Sequence, residues 1–326
     1  MTGASGFLGG RIAEILCRSD CRVRVLVRKT SDTTRLRSLP VELAEGDLSD
    51  PDSLEQASRG MDATVHCAGR VTDWGSRKQF FAANVQGTRN VLEAALKAKI
   101  QRVIIVSSLT VLGLPRWRMQ FDESSAFDPS PDGYYNESKI EAEKVAMEFR
   151  DRGLEVVIMR PAGIWGPGDP VFYPRLRALA QLGCLCRIGK GNNVLGMSYV
   201  DNVAEAVSLA IAAESPDLLY HIVDREAATS AALMARIAGI AGWKMRPFGL
   251  PYSVLFAAAA VLECWHRWLG TATPPPLTRY GLRLFACNGR YNSHKAKADL
   301  GYVGHVDFKE GLGRLAQWIE ASGENT

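Results

Sequence analysis

Gly3, Gly6 and Gly9 stand at regular spacing in the run TGASGFLGG, at the very start of the chain. In a turn of this pattern one glycine makes the bend and one lets the backbone approach a phosphate. The third lets the following helix pack closely on a sheet. A helix starting near Phe7, with Leu8 and Gly9 in its first turn, aims free N–H groups and its positive dipole end at a dinucleotide pyrophosphate. Such a turn normally follows a β-strand, yet only Met1 and Thr2 precede it. The motif therefore predicts a dinucleotide-binding α/β fold whose first strand is missing from the chain.

The remaining pattern agrees with that class. Arg11–Arg18 reads as a helix, Arg22–Arg28 as a strand, and Val41–Leu43 as a short strand before GDLSD. Asp52–Ser58 is a short helix and Ala63–Cys67 a short apolar strand. Helices over Asn84–Ala98 and Ser138–Arg152 alternate with buried strands at Val103–Val106 and Val156–Met159. Short apolar strands separated by amphipathic helices indicate a parallel sheet covered on both faces. From Gly166 onward glycine and proline become frequent and helices predominate, clearest at Val203–Ala213 and Ala231–Ala241. The expected architecture is a Rossmann-type doubly wound domain over residues 1–165, with a returning strand near 219–224. A smaller, mainly helical substrate region follows over 166–326, along the sheet's carboxyl edge.

Composition excludes several classes. A net charge of +4 over 326 residues, without a Lys/Arg block, gives nucleic-acid binding no support. The seven cysteines show neither a disulfide framework nor zinc-ligand spacing, so no metal is expected, and a reduced, cytoplasmic protein fits. The most apolar run, Tyr252–Leu262, is too short to span a bilayer and is followed by Glu263, His266 and Arg267. It reads first as a packed helix. The second reading is an interfacial helix or a lid over an apolar substrate, so that any membrane association is peripheral.

The chemistry is carried by Tyr135-Asn-Glu-Ser-Lys139. A tyrosine and a lysine four apart share one helix face, and Tyr134 aligns less well. A phenol with a reference pKa of about 10 is a poor acid or base at neutral pH, and a neighbouring ammonium favours its ionised form. About thirty residues upstream, VSSLTVLG places Ser107, Ser108 and Thr110 at the carboxyl end of a buried strand. A serine there can donate to a developing oxyanion.

With TGASGFLGG, GDLSD, HCAG (His66–Gly69), NVQGT (Asn84–Thr88), VSSLTVLG, YNESK, RPAGIWGPGD (Arg160–Asp169) and YVDNVAEA (Tyr199–Ala206), the chain resembles the extended short-chain dehydrogenase/reductase superfamily over nearly its full length. The resemblance implies NAD(P)-dependent chemistry. It makes Tyr135 the acid/base, with Lys139 holding the nicotinamide ribose and lowering the tyrosine pKa. Ser108 would hold the substrate oxygen, in a segment where Leu112 takes the place of the family's usual tyrosine. It also places Asp47 and Leu48 beside adenine, Ala68 and Gly69 along the pyrophosphate and ribose, and Pro161 and Ile164 beside the nicotinamide. Ser107 falls among the cofactor contacts. Asn84 would support the site through structure or a bound water, and Asp201 would cap the helix near Val203. Relatives place about five apolar strand residues before the glycine turn, which implies that Met1 is a misassigned start.

NAD-using members end the second strand with an acid, whereas here Arg28 and Lys29 stand there. An arginine pairs bidentately with a 2′-phosphate, so NADP is the preferred cofactor; Asp32 keeps NAD open. The segment PPPLTRYGLRLFACNGRYNSHKAKADLGY resembles the branch of 3β-hydroxysteroid dehydrogenases, sterol-carboxylate dehydrogenases and 2-alkyl-3-keto acid reductases, as does VTDWGS (Val71–Ser76). Trp74 is then a wall for an apolar substrate, and Trp265 and the apolar helix suit a greasy ligand. The runner-up is a nucleotide-sugar epimerase/dehydratase, for which Arg175, Arg177 and Arg187 would face a diphosphate. A third reading is a non-catalytic dinucleotide sensor, against which the retained Tyr135/Lys139 pair speaks. The resemblance also implies a homodimer through the helices at Asn84–Ala98 and Ser138–Arg152.

Overall fold

The computed structural model describes residues 1–19, 21–226 and 228–323. Its centre is a parallel sheet built from β1 (Val23–Val27), β2 (Val41–Glu45), β3 (Ala63–His66), β4 (Arg102–Val106), β5 (Glu155–Pro161) and β6 (Leu219–Ile222). One half pairs β2 with β1 and the other runs β3-β4-β5-β6. Registers such as Val65↔Ile104, Ile104↔Val157 and Ile158↔Leu219 fix the order. The returning strand expected near 219–224 is β6.

Between the halves lie only Met1 and Thr2. Thr2 forms parallel bridges to Leu26 and to His66. The Leu26 N–H donates to the Met1 carbonyl at 2.9 Å and the Thr2 N–H donates to Val65 at 2.9 Å. The Met1 nitrogen donates to the Arg24 carbonyl at 2.5 Å. Two residues thus tie β1 to β3 where a doubly wound sheet carries its first strand.

Alternating side chains of the central strands feed two cores. Ile104, Val106, Val157 and Met159 face one side, beneath α1 (Phe7–Arg18) and, later in the chain, residues 200–212. Val103, Ile105, Val156 and Ile158 face the other. That second face is covered by α3 (Gly87–Lys97) and α4 (Gly133–Asp151), with α2 (Pro51–Ser58) packed on α3. Burial on both faces is why these strands read as unbroken apolar runs. The edge strand β2 alternates little and is largely exposed.

Two helix starts differ from expectation. The helix expected from Asn84 begins as a π-helix over Phe81–Gln86 and becomes α-helical at Gly87. Helix α4 begins at Gly133, not Ser138, so Tyr135 lies in its first turn.

Beyond residue 165 come α5 (Phe172–Gln181), α6 (Val200–Ala212), α7 (Ser230–Ile240), α8 (Tyr252–Trp268), α9 (Arg279–Ala286) and α10 (Phe308–Ser322). Asp201 does not cap α6. It sits inside the first turn, accepting from Arg11 at 2.7 Å and from Arg314 at 2.6 Å, so it ties α6 to α1 and α10 by ion pairs. The apolar helix expected as packed core is mostly outside: within α8 only Ala259 and Glu263 are buried. No helix among the described residues is long and apolar enough to cross a membrane.

Candidate active site

The first turn of α4 and the carboxyl end of β4 meet, bringing together the residues that the sequence singled out. The Lys139 ammonium donates to the Val106 carbonyl, the last of β4, at 2.9 Å. One residue on, the Ser107 hydroxyl bonds the Glu143 carboxylate instead of facing outward. Glu143 lies one turn beyond Lys139 and is fully buried, held by Arg160 of β5 at 2.6 to 3.1 Å. A buried pair of this kind is costly to break, because removing either partner strands the other charge. It fixes α4 to the strands beneath it.

Ser108 is extended and starts a 3-10 turn at Leu109–Leu112. Its oxygen accepts from the Thr110 N–H at 3.3 Å and from the Thr110 hydroxyl at 3.0 Å. Burial pushes the Tyr135 phenol up to about 12, while a hydrogen bond with Ser108 pulls it down. Burial also lowers Lys139, opposed by Cys67 and Glu143. Tyr134, by contrast, is 47% exposed.

Asn84 is buried in the π-helix, and its amide is fully used. The oxygen accepts from the Arg70 N–H at 2.7 Å; the nitrogen donates to the Arg70 carbonyl at 3.2 Å and the Ser138 hydroxyl at 2.9 Å. It thereby locks the strand-end loop at Ala68–Arg70 against α4. A methyl group at Gly69 would stand 2.9 Å from the Asn84 oxygen and 3.9 Å from the Lys139 nitrogen. A small internal cavity, about one water in volume, lies between His66, Asn84, Ser107, Lys139 and Glu143.

The glycine turn is built as its spacing suggested. Gly3 has φ +77°, and a side chain there would come within 2.6 Å of the Ala68 nitrogen. At Gly9 a Cβ would lie 2.0 Å from the Gly3 carbonyl oxygen. Helix α1 starts after Gly6 with no side-chain cap, which leaves the N–H groups of its first turn, at Phe7 and Leu8, to an outside acceptor. A dinucleotide pyrophosphate fits this cradle.

At the end of β1, Arg28 is exposed, and its charge adds to the hydrogen bonds from Ser49 that hold Asp47 below the usual carboxylate range. Lys29 pairs with Glu45 at 3.3 Å in the open. Asp32 is spent on the Thr34 N–H at 2.9 Å. Leu48 packs under Gly87, and its carbonyl accepts from Asn90 at 2.7 Å. Pro161 is buried at the end of β5 and Ile164 half-buried just beyond it.

Trp74 is buried. Its indole N–H donates to the Thr271 carbonyl at 3.0 Å, and Arg267 lies over its ring at 5.3 Å. The preceding residue, Asp73, accepts from Arg175 at 2.8 Å and from the Thr278 hydroxyl. Burial raises its pKa, and Arg175 together with the Thr278 hydroxyl more than offsets that, holding the carboxyl below its ordinary value. Arg175 is therefore neutralised by Asp73, and Arg187 donates to the Pro247 carbonyl at 2.9 Å. These two arginines, weighed as diphosphate ligands, have other work.

Tyr280 escaped the sequence reading. It enters from α9, its ring edge-on to Tyr135 at 6.4 Å, and its hydroxyl donates to Asn136 at 2.8 Å. Burial holds its phenol well above the usual range. Its one sequence signal is a place two residues after Thr278, whose hydroxyl caps α9 by accepting from the Gly281 N–H at 3.0 Å. A separation of 145 positions from Tyr135 hid the contact.

Known proteins resemble this chain in sequence and fold. A model of the 3-beta hydroxysteroid dehydrogenase/isomerase family matches residues 1–220. The chain is 31% identical to a 2-alkyl-3-oxoalkanoate reductase of Stenotrophomonas maltophilia, over 97% of each. It is 29% identical to the decarboxylating sterol-4-alpha-carboxylate 3-dehydrogenase of Saccharomyces cerevisiae, over 98% of this chain and 96% of that one. The crystal structure of gox2253 superposes with a TM-score of 0.80 at 31% identity, over 99% of this chain and 97% of that one. A UDP-glucuronic acid 4-epimerase from Bacillus cereus, solved with NAD, superposes at 0.74 with 19% identity over 98% of each, a likeness of fold alone. The chain thus belongs to the 3-beta hydroxysteroid dehydrogenase/isomerase family and is a nicotinamide-dependent oxidoreductase of the extended short-chain type.

Proposed function

We propose that the protein interconverts a ketone and a secondary alcohol on an apolar substrate, a sterol-like ring or a 3-keto/3-hydroxy acyl chain, with NADP as the preferred cofactor. The observation that carries this reading is the meeting of Tyr135, Ser108 and Lys139 at the carboxyl edge of the sheet, with the Tyr280 ring edge-on to Tyr135; Trp74 would wall the apolar substrate. The substrates named for the curated relatives support it, being 2-alkyl-3-oxoalkanoates and a sterol carboxylate.

When bound, the nicotinamide supplies the hydride to the carbonyl carbon, or accepts it from the alcohol. Ser108 donates to the substrate oxygen as negative charge develops there. Tyr135 delivers the proton to the same oxygen in reduction and removes it in oxidation. Burial alone sets the phenol too high for a base at neutral pH, so a cation must lower it. Lys139, one turn along α4, provides that charge and holds the ribose. Gly3, Gly6 and Gly9, with the open start of α1, would hold the pyrophosphate, and Ala68 and Gly69 line its path. Asp47 and Leu48 would flank the adenine, and Pro161 and Ile164 the nicotinamide ring. Arg28, with Lys29 beside it, would take the 2′-phosphate. Ser107 and Asn84 act by holding β4 and the Gly69 loop in place. Seven free cysteines suit a reducing cytoplasm. Pairing of two copies through α3 and α4 belongs to the same reading.

The decisive experiment is a panel of 3β-hydroxysteroids, 3-keto acyl compounds and UDP-sugars, each with both nicotinamides. Turnover of the apolar alcohols and ketones is expected. Turnover of UDP-sugars alone would overturn the reading, and the commitment of Arg175 to Asp73 argues against it.

A further inference from the structure

Helix α8 is built inside out. Its sole carboxylate, Glu263, points inward, where it accepts from the Arg279 N–H at 2.7 Å and from the Arg279 side chain at 2.9 Å. Its outward face is apolar. Val254, Ala258, Val261, Trp265 and Trp268 follow one another at spacings of four, three, four and three, which places them on one stripe. All five are exposed, with Val261 at 69%, Trp265 at 58% and Trp268 at 78%. The two indoles lie 5.6 Å apart at the helix's carboxyl end. A stripe of this width is unusual on a water-facing helix and marks a contact surface.

Basic side chains border the helix. Arg267 sits on the helix itself, exposed over 62% of its side chain and at the long distance of 3.9 Å from the Glu263 carboxylate, which Arg279 holds more closely at 2.8 Å. Arg116 lies over the Tyr252 ring at 3.9 Å, next to exposed Trp117 and Arg118. The neighbouring acids are consumed: Glu263 by Arg279, and Asp132 by Arg283. A second copy docked on the same face would set these arginines against each other, because a two-fold contact brings like patches together. An anionic lipid surface offers the opposite charge together with an apolar layer for the stripe, and tryptophan suits that boundary.

The stripe also leads inward. The carboxyl end of α8 touches Trp74 through Arg267 and through His266, whose ring meets the indole edge-on at 6.4 Å, and Thr271 holds the Trp74 N–H. We propose that the outer face of α8, with Trp117 and its flanking arginines, rests on the surface of an anionic phospholipid bilayer, so that the substrate cleft opens beside the membrane. The docking face stands by itself; only the link to substrate delivery rests on the function proposed above.

The test is co-sedimentation of the full chain, without cofactor or substrate, with mixed phosphatidylglycerol/phosphatidylcholine vesicles and with pure phosphatidylcholine. Binding to the mixed vesicles, a blue shift of tryptophan emission and loss of binding at high salt are expected. The double variant Trp265→Ser/Trp268→Ser should cut the bound fraction about tenfold. Arg118→Glu should weaken binding to the mixed vesicles and leave any binding to pure phosphatidylcholine unchanged. Both variants should keep the wild-type melting temperature, since the replaced side chains are exposed, and Arg118→Glu should also keep the wild-type turnover of a short water-soluble ketone. A wild-type chain that stays in the supernatant, or a double variant that binds equally, overturns the proposal. So does a lipid-free dimer that the double variant dissolves, for then a second copy covers the face. Failure of every ketone and alcohol, with vesicle binding intact, would sink the catalytic reading and leave the docking face standing.

Discussion

In the proposed mechanism Tyr135 is the residue on which the chemistry turns. Tyr135→Phe removes the proton donor and leaves the glycine cradle untouched, so turnover should fall about 10²- to 10⁴-fold, with dinucleotide affinity nearly unchanged. Steady-state kinetics beside a fluorescence titration of NADPH would show the split; unchanged turnover would remove Tyr135 from the mechanism. The direction of its pKa shift gives a second handle. Burial raises the phenol and the Ser108 hydrogen bond lowers it in part; in the proposed mechanism the Lys139 ammonium brings it down further. Lys139→Met should therefore move the alkaline rise of the oxidation rate to higher pH, and a pH profile that stays in place would deny the lysine that role. At the cofactor's other end, Arg28→Ala should raise the Kd for NADPH far more than that for NADH, whereas equal effects would refute the phosphate contact. Gly9 tests the cradle itself. Alanine there would put a methyl 2.0 Å from the Gly3 carbonyl, backbone against backbone, with nothing flexible to yield. A loss of about 1–3 kcal/mol in thermal or urea unfolding is expected.

At the scale of elements, most of the sheet was legible and the joints between distant segments were not. Strands β4 and β5 announce themselves because burial on both faces makes them unbroken apolar runs. The π-helix that seats Asn84 left no such mark, since one extra residue in a turn does not disturb an amphipathic pattern. Helix α4 starts five residues before its apolar stripe becomes regular, which is why the expected start fell at Ser138. The motif residues Tyr135, Lys139 and Ser108 were readable because their spacing is local. The tie of Asp73 to Arg175 and Thr278 was not, because these residues lie about a hundred positions apart and each reads as an ordinary exposed polar residue on its own. Burial of Asp73 makes that tie consequential. Arg175→Met should leave a buried carboxylate without its cation and cost about 3–5 kcal/mol, less to the extent that Arg175 is partly exposed. It should also raise KM for an apolar substrate more than it lowers kcat, since Trp74 would lose its anchor while Tyr135 would not. Chemical denaturation and a substrate titration would read both effects.

The whole molecule carries two histidines that folding keeps neutral. His66 is enclosed between Thr2 at 2.8 Å and Thr88 at 3.1 Å, and burial lowers its pKa to about 3. His221 is fully buried in β6, and neither ring nitrogen finds a hydrogen-bond partner among the described residues; its pKa also falls to about 3. An unfolded histidine titrates near 6.5. Between those values the unfolded chain binds more protons, so stability should be complete above about pH 6.5 and decline as pH falls toward 3. His221→Leu should flatten the decline by close to one proton in a series of melting curves, and an unchanged slope would exclude it as a source. The tie of Asp73 to Arg175 and Thr278 has a different consequence, for the order in which the protein is made. During synthesis the glycine turn, Tyr135 and Lys139 leave the ribosome long before Thr278 does. A nascent chain can therefore shape its glycine turn while Trp74 still hangs loose, and the tie of Asp73 to Arg175 and Thr278 closes only near the end of translation.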